Sequence, residues 1–301
     1  MDLSVKIGKA KFSNPVTVAS GTFEYIKDYC SISDLKKLGA LTPKTVTLYA
    51  QQGNPSPRIV EIPSGMINAI GIENEGIDAF ISGRLVEFKK LGVPLIISVS
   101  GKTETEFKML AEKLNKPKGL SAIELNLSCP NLKKKSLVAQ DPKATYSIVK
   151  AVKRISKLPV IAKLTPNVGD ITVIAKAAQE AGADGISMIN TFSGLVIDTK
   201  TRKSAIGNFT GGVSGPAIRP MAVNMVYNVA QKVSIPIIGM GGIMTADDAL
   251  QFIIAGATMV AVGTANFIEP KAPLEVLRGI KEYMKKNKLN NLKQLRGSLV
   301  R

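Results

Sequence analysis

The sequence predicts an α/β chain folded as an eight-stranded parallel (β/α)₈ TIM barrel, with an N-terminal β-hairpin covering the barrel bottom. Three observations predict it. Short apolar, β-branched runs recur eight times along the chain. Segments with apolar residues at three- and four-residue intervals separate them. Each run ends in small or polar residues suited to ligand contact. Strand–helix alternation of this kind puts parallel strands inside and helices outside.

Residues 3–7 and 11–12 flank Gly8, which reads as the hairpin. The eight predicted strands are 16–19, 40–46, 95–99, 122–126, 160–164, 185–189, 235–240 and 259–262. Helical periodicity marks 103–114, 145–155, 171–181, 222–233 and 246–255. A closed barrel and an open doubly wound sheet share this pattern. An open sheet gathers its ligand contacts at one switch point, whereas a barrel spreads them over many strand ends. Here the ends carry Ser20-Gly21, Lys44-Thr45, Ser98 with Ser100-Gly101, Asn126, Lys163, Asn190-Thr191, Gly241-Gly242 and Gly263-Thr264. That ring favours the barrel.

At 301 residues and 45% hydrophobic content the chain can bury one large core. Its 26 glycines and 16 prolines are spread without a linker, so residues 1–301 are expected to form one domain. The first fifteen residues mix charged and apolar positions, unlike a signal peptide. No stretch approaches the ~18 to 20 apolar residues of a membrane span. Two cysteines, Cys30 and Cys129, are too few for a disulfide framework and suit a reducing cytoplasm. Histidine is absent, which excludes histidine-based triads and histidine-ligated metal sites, and no metal is expected. Two thiols also cannot hold an iron–sulfur cluster by four thiolates.

The net charge of +17 admits a basic, non-catalytic nucleic-acid-binding protein. Lysine clusters at 133–135 and 285–286 lack the interleaved aromatics that would stack bases, so a solvated surface is the better reading.

The glycines after strands seven and eight, Gly241, Gly242 and Gly263, leave backbone amides open to phosphate oxygens. Thr264 adds a hydroxyl. Residues 245–248 supply N-cap chemistry, and the Gly211-to-Pro216 segment, with Gly215, lies before another helix. A phosphorylated cofactor is therefore expected, and Lys44 and Lys163 would stabilise negative charge on its reduced ring. Asn126 and Asn131 flank Cys129, while Asn68 and Asn190 lie on other loops at the same face. Carboxamides offer both donor and acceptor to a planar ring of alternating N–H and C=O groups. Cys129, followed closely by three lysines, is a candidate proton-accepting thiolate. Cys30 is read as packing.

These residues fall in motifs: Ala19-Ser20-Gly21-Thr22-Phe23, Gly53-Asn54-Pro55-Ser56-Pro57-Arg58, Asn68-Ala69-Ile70-Gly71-Ile72, Asn126-Leu127-Ser128-Cys129-Pro130-Asn131, Met188-Ile189-Asn190-Thr191, Thr210-Gly211-Gly212-Val213-Ser214-Gly215-Pro216 and Val262-Gly263-Thr264-Ala265-Asn266-Phe267. In order, they resemble class 1 dihydroorotate dehydrogenases, specifically the class 1B catalytic subunit, from about Leu3 to Phe267.

The resemblance implies FMN, oxidation of dihydroorotate to orotate in pyrimidine (UMP) biosynthesis, and Cys129 as the base taking the C5 proton while hydride passes from C6 to FMN. It implies substrate contacts from Lys44, Asn68, Ala69, Ile70, Gly71, Ile72, Asn126, Asn131, Asn190 and Thr191. It implies FMN contacts from Ser20, Lys44, Thr45, Ser98, Asn126, Lys163, Ile189, Gly215, Gly241, Gly242, Gly263 and Thr264. Electrons would pass to a partner subunit holding FAD and [2Fe–2S], and on to NAD⁺. The chain would form the homodimeric core of a heterotetramer, with no nucleic acid or membrane partner.

Three positions depart from the family pattern. Ser98 stands where asparagine is frequent, and Glu24 where glycine is common. The lid after Asn131 reads Leu132-Lys133-Lys134-Lys135-Ser136-Leu137-Val138-Ala139-Gln140-Asp141 instead of a glycine-rich loop. The nearest rival is a dihydropyrimidine dehydrogenase-like FMN barrel acting on uracil or thymine.

Overall fold

The computed structural model describes residues 1–26, 30–128, 130–131 and 136–300, excepting the side chains of residues 25, 26, 130, 131 and 136. Seven parallel strands follow one another around the sheet in the order Val16–Val18, Met259–Val262, Ile237–Met240, Gly185–Met188, Val160–Lys163, Ala122–Asn126 and Ile96–Val99. Nearly every residue in them is buried, as expected where helices cover a parallel sheet.

The eighth position is filled by residues 40–46, which close the gap between the two end strands. The Gly39 amide donates to the Val16 carbonyl at 2.9 Å on one side. On the other, parallel bridges join Leu41 to Leu95 and Val46 to Val99. The sequence predicts a regular strand here, but the ladder is interrupted between those two points. Pro43 has no N–H to contribute to it.

Helix positions follow from their caps and apolar stripes. Glu104–Leu114 begins at Thr103, whose hydroxyl accepts from the Glu106 amide at 3.1 Å, and buries Phe107, Leu110, Ala111 and Leu114. Pro142–Ile155 starts at the Asp141 cap, three residues earlier than the periodicity predicts. Arg219–Ala230 and Ala272–Lys286 complete the outer layer with Ile171–Glu180 and Ala246–Ala255.

The predicted hairpin pairs Val5–Ile7 with Ala10–Phe12. Its position is fixed by two close approaches at the start of the Gly185–Met188 strand. A side chain on Gly185 would meet Ile7 at 2.9 Å, and one on Gly8, itself at φ +53°, would meet the Asp184 carboxylate at 2.8 Å. Ile7 and Phe12 are buried against the bottom of the core. The opposite end is left for chemistry.

At that open end stands a second, antiparallel sheet that the sequence reading missed. Its strands run Phe192–Gly194, Gly211–Ser214, Gly65–Asn68 and Ile59–Ile62, drawn from the loops after the second and sixth barrel positions. Ile67, Ala69 and Ile206 form a small core of their own within it. Among the described residues no helix is long and apolar enough to cross a membrane.

Candidate active site

The C-terminal strand ends and the antiparallel sheet enclose a cavity of about 1220 Å³. Of the predicted site residues, Ser20, Lys44, Thr45, Asn68 to Ile72, Asn126, Lys163, Ile189, Asn190, Thr191, Gly241, Gly242, Gly263 and Thr264 all line it. Two lie behind its wall. Ser98 is fully buried, level with Glu124, and its hydroxyl meets that of Thr45 at 2.9 Å. Gly215, at φ +107°, is in contact with Gly242 and Gly65 instead. The predicted base, Cys129, lies outside the described residues, as do residues 132–135 of the predicted lid. The Asn131 backbone pairs with Ser136.

The deep wall is a chain of polar side chains on neighbouring strands. Lys163 is 5% exposed and donates from Nζ to the Ser20 hydroxyl at 3.2 Å. The Thr45 hydroxyl reaches the same oxygen at 3.4 Å. Below Lys163 sits Glu124, 3% exposed, with Oε1 3.7 Å from Nζ and Oε2 accepting from the Ser187 hydroxyl at 2.7 Å. The sequence analysis assigned Glu124 no role. Its spacing of two from Asn126 was the available signal, since both point to one face of the strand.

The carboxamides are held by one another. Asn190 donates to the Ser128 hydroxyl at 2.9 Å and to the side-chain oxygen Oδ1 of Asn126 at 3.4 Å. Its own oxygen accepts from the Thr191 amide at 2.8 Å. Asn68 donates to the Gly212 carbonyl at 3.3 Å, across the antiparallel sheet. Ser128 and Asn167 are further polar residues that the sequence reading passed over. The Asn167 side chain donates to the Thr191 carbonyl at 3.0 Å and so braces that loop.

The backbone of residues 69–72 is tied from three sides. The Gln51 amide group donates to the Gly71 carbonyl, Asn54 to Ala69 and Asn74 to Ile72, at 2.8, 3.1 and 2.8 Å. These bonds hold Ile72 at φ +54°, a region a β-branched residue seldom enters. Strain maintained by so many partners belongs to a segment whose shape matters.

Lys44 reaches the cavity beside Gly21, which adopts φ +87°. Burial pushes its pKa below the ordinary lysine value, while the carboxylates of Glu24 and then Glu73 oppose that shift. Both carboxylates are themselves paired, Glu24 to Arg84 and Glu73 to Arg58, each at 2.6 Å. Lys44 is thus a desolvated cation facing open space.

On the far side, Gly241 and Gly242 adopt φ +129° and +76°. Thr264 donates to the Ser214 hydroxyl at 2.9 Å, joining the loop after the eighth strand to the one after the sixth. The predicted cap is present: Thr245 accepts from the Asp248 amide, and Asp248 returns to the Thr245 and Met244 amides at 2.9 Å. Arg219 pairs with the same Asp248, so that carboxylate is neutralised at the cavity's edge. Cys30 is a buried thiol whose pKa is raised, mainly by burial, and it packs as the sequence suggests.

Comparison with known proteins gives one consistent result. The family model for dihydroorotate dehydrogenase matches residues 2–284. A protein of Geotalea uraniireducens (strain Rf4) is 47% identical over 300 residues, covering 99% of this chain and 98% of its own. One of Lachnoclostridium phytofermentans is 50% identical over 298 residues, and one of Thermoanaerobacter pseudethanolicus 46% over 300, each covering 99% of both chains. All three are named as the catalytic subunit of dihydroorotate dehydrogenase B (NAD(+)).

Proposed function

The chain belongs to the dihydroorotate dehydrogenase family, and from that premise we propose that it oxidises dihydroorotate to orotate in pyrimidine biosynthesis. It acts as the catalytic subunit of a cytoplasmic enzyme that passes electrons through a separate subunit to NAD⁺. One observation carries this reading: buried Lys163, half-buried Lys44, the side chains of Asn68, Asn126 and Asn190 and a glycine-lined edge converge on a single cavity.

FMN fits that cavity. Ligand sites commonly occupy ~300–1,000 Å³, and about 1220 Å³ leaves room for a mononucleotide beside a small ring. Gly241, Gly242, Gly263 and Thr264 would hold the phosphate through backbone and hydroxyl, and Ser20, Thr45, Lys163 and Ile189 the ring. When bound, FMN supplies the two-electron acceptor for the hydride.

The chain's own residues do the rest. Lys163 presents positive charge where negative charge develops, in a water-poor pocket where that interaction is strong. Lys44 and the backbone of residues 69–72 take the substrate carboxylate. Asn68, Asn126, Asn131, Asn190 and Thr191 address the ring's donors and acceptors. Cys129, one residue past cavity-lining Ser128, removes the C5 proton. FAD and [2Fe–2S] reside on the partner, and the catalytic chain dimerises at the core of a heterotetramer.

Purified protein should be yellow and turn over dihydroorotate in preference to dihydrouracil. Preference for dihydrouracil assigns it to the dihydropyrimidine class instead, and a colourless protein retained on RNA at low salt removes the flavin altogether. Cys129→Ala should keep its flavin yet lose ~10² to 10⁴-fold in the rate of flavin reduction at neutral pH.

A further inference from the structure

The buried pair Glu124–Lys163 is not accounted for by the reaction as described. A buried ion pair is poor evidence for stability, because removing two charges from water costs about what their attraction returns. This pair is also incomplete. Glu124 Oε1 lies 3.7 Å from Lys163 Nζ, beyond hydrogen-bond reach, and has no hydrogen-bond donor among the described residues. The other oxygen is satisfied by Ser187, which stands level with Lys163 on the next strand. Three adjacent strands therefore place a carboxylate directly beneath the cation of the cavity wall.

We propose that Glu124 is a positioning residue that sets the reduction potential of the bound cofactor, by offsetting the Lys163 charge from below. The proposal rests on the reading of the cavity as an FMN site. Lys163 favours the more negative, reduced cofactor, and Glu124 opposes it through the same buried space, where charges are weakly screened. Ser187 moderates the carboxylate by donating to it. The remaining charged groups lining the cavity are Lys44, Arg58, Arg84, Glu24, Glu73 and Glu75. Glu24 lies on the loop between strands 16–18 and 40–46, Lys44 within the second position and the others beyond it, and Arg58 and Arg84 are tied to Glu73 and Glu24.

The test is the midpoint potential of FMN on the purified protein, with Kd for oxidised FMN measured alongside. Glu124→Gln keeps the volume and an acceptor for Ser187 but removes the charge. It should bind reduced relative to oxidised FMN about tenfold more tightly, an upward shift of ~30 mV for this two-electron couple. Ser187→Ala keeps the charge and removes its moderating donor, so its potential should move down. A rise in Glu124→Gln together with a fall in Ser187→Ala supports the proposal, and the reverse pair of signs overturns it. An unchanged potential in Glu124→Gln, or a shift of both variants in one direction, overturns it, even where both bind FMN less well. Should Glu124→Gln fail to fold, Ser187→Ala decides alone, a fall supporting and no change or a rise refuting. Failure of the wild type to bind FMN would instead refute the cofactor assignment.

Discussion

At the scale of single residues, the proposed role of Lys44 sets function against stability. Its pKa in the folded chain lies below the unfolded value because burial disfavours the charged form. Between those two values the unfolded chain binds more protons, so folding stability contributed by Lys44 rises with pH in that alkaline window. At neutral pH its full desolvation cost is present. Lys44→Met should therefore stabilise the FMN-free protein at neutral pH in urea unfolding, with the gain over wild type shrinking as pH rises through the alkaline range. The same variant should bind orotate much more weakly. Loss of stability at neutral pH would show that Lys44 is compensated within the fold. Glu24 and Glu73 keep their arginine partners either way, so the substitution strands no carboxylate.

At the scale of elements, the antiparallel sheet carries the side of the cavity proposed for the substrate and the barrel carries the other. Ile67 is fully buried in the sheet's own small core, one residue before Asn68. Ile67→Ala should cost ~2–5 kcal/mol and raise KM for dihydroorotate while leaving FMN content near that of the wild type. Loss of FMN in proportion to substrate binding would mean that sheet and barrel act as one unit. The barrel strands and the 246–255 helix were legible in the sequence because continuous apolar, β-branched runs and a period of 3.6 residues are local signals. The mouth sheet was not. Its strands are short, 59–62 pairs only with 65–68, which in turn pairs with 211–214 across nearly half the chain, and glycine-rich 211–214 carries little alternation. The site residues were legible through type and position at strand ends. Their partners Ser187 and Asn167 were not, because a hydrogen bond between distant segments leaves no mark on either one alone, and Glu124 was marked only by its spacing of two from Asn126.

At the scale of the whole molecule, the two ends of the barrel are specialised. The hairpin seals the bottom with Ile7 and Phe12, and among the described residues the polar side chains that line the cavity lie at the opposite end. The second wall position departs from this regular frame. Residues 42–45 sit between two isolated bridges, with Thr45 and Lys44 turned to the cavity. A barrel otherwise stitched by continuous ladders has one loosely basted seam, and that seam is where the proposed substrate and cofactor both hold on. Occupancy would then act as the missing thread: deuterium uptake at 42–45 should slow on adding orotate and FMN far more than at 160–163. Equal slowing in both strands would mean that the wall stiffens as a whole.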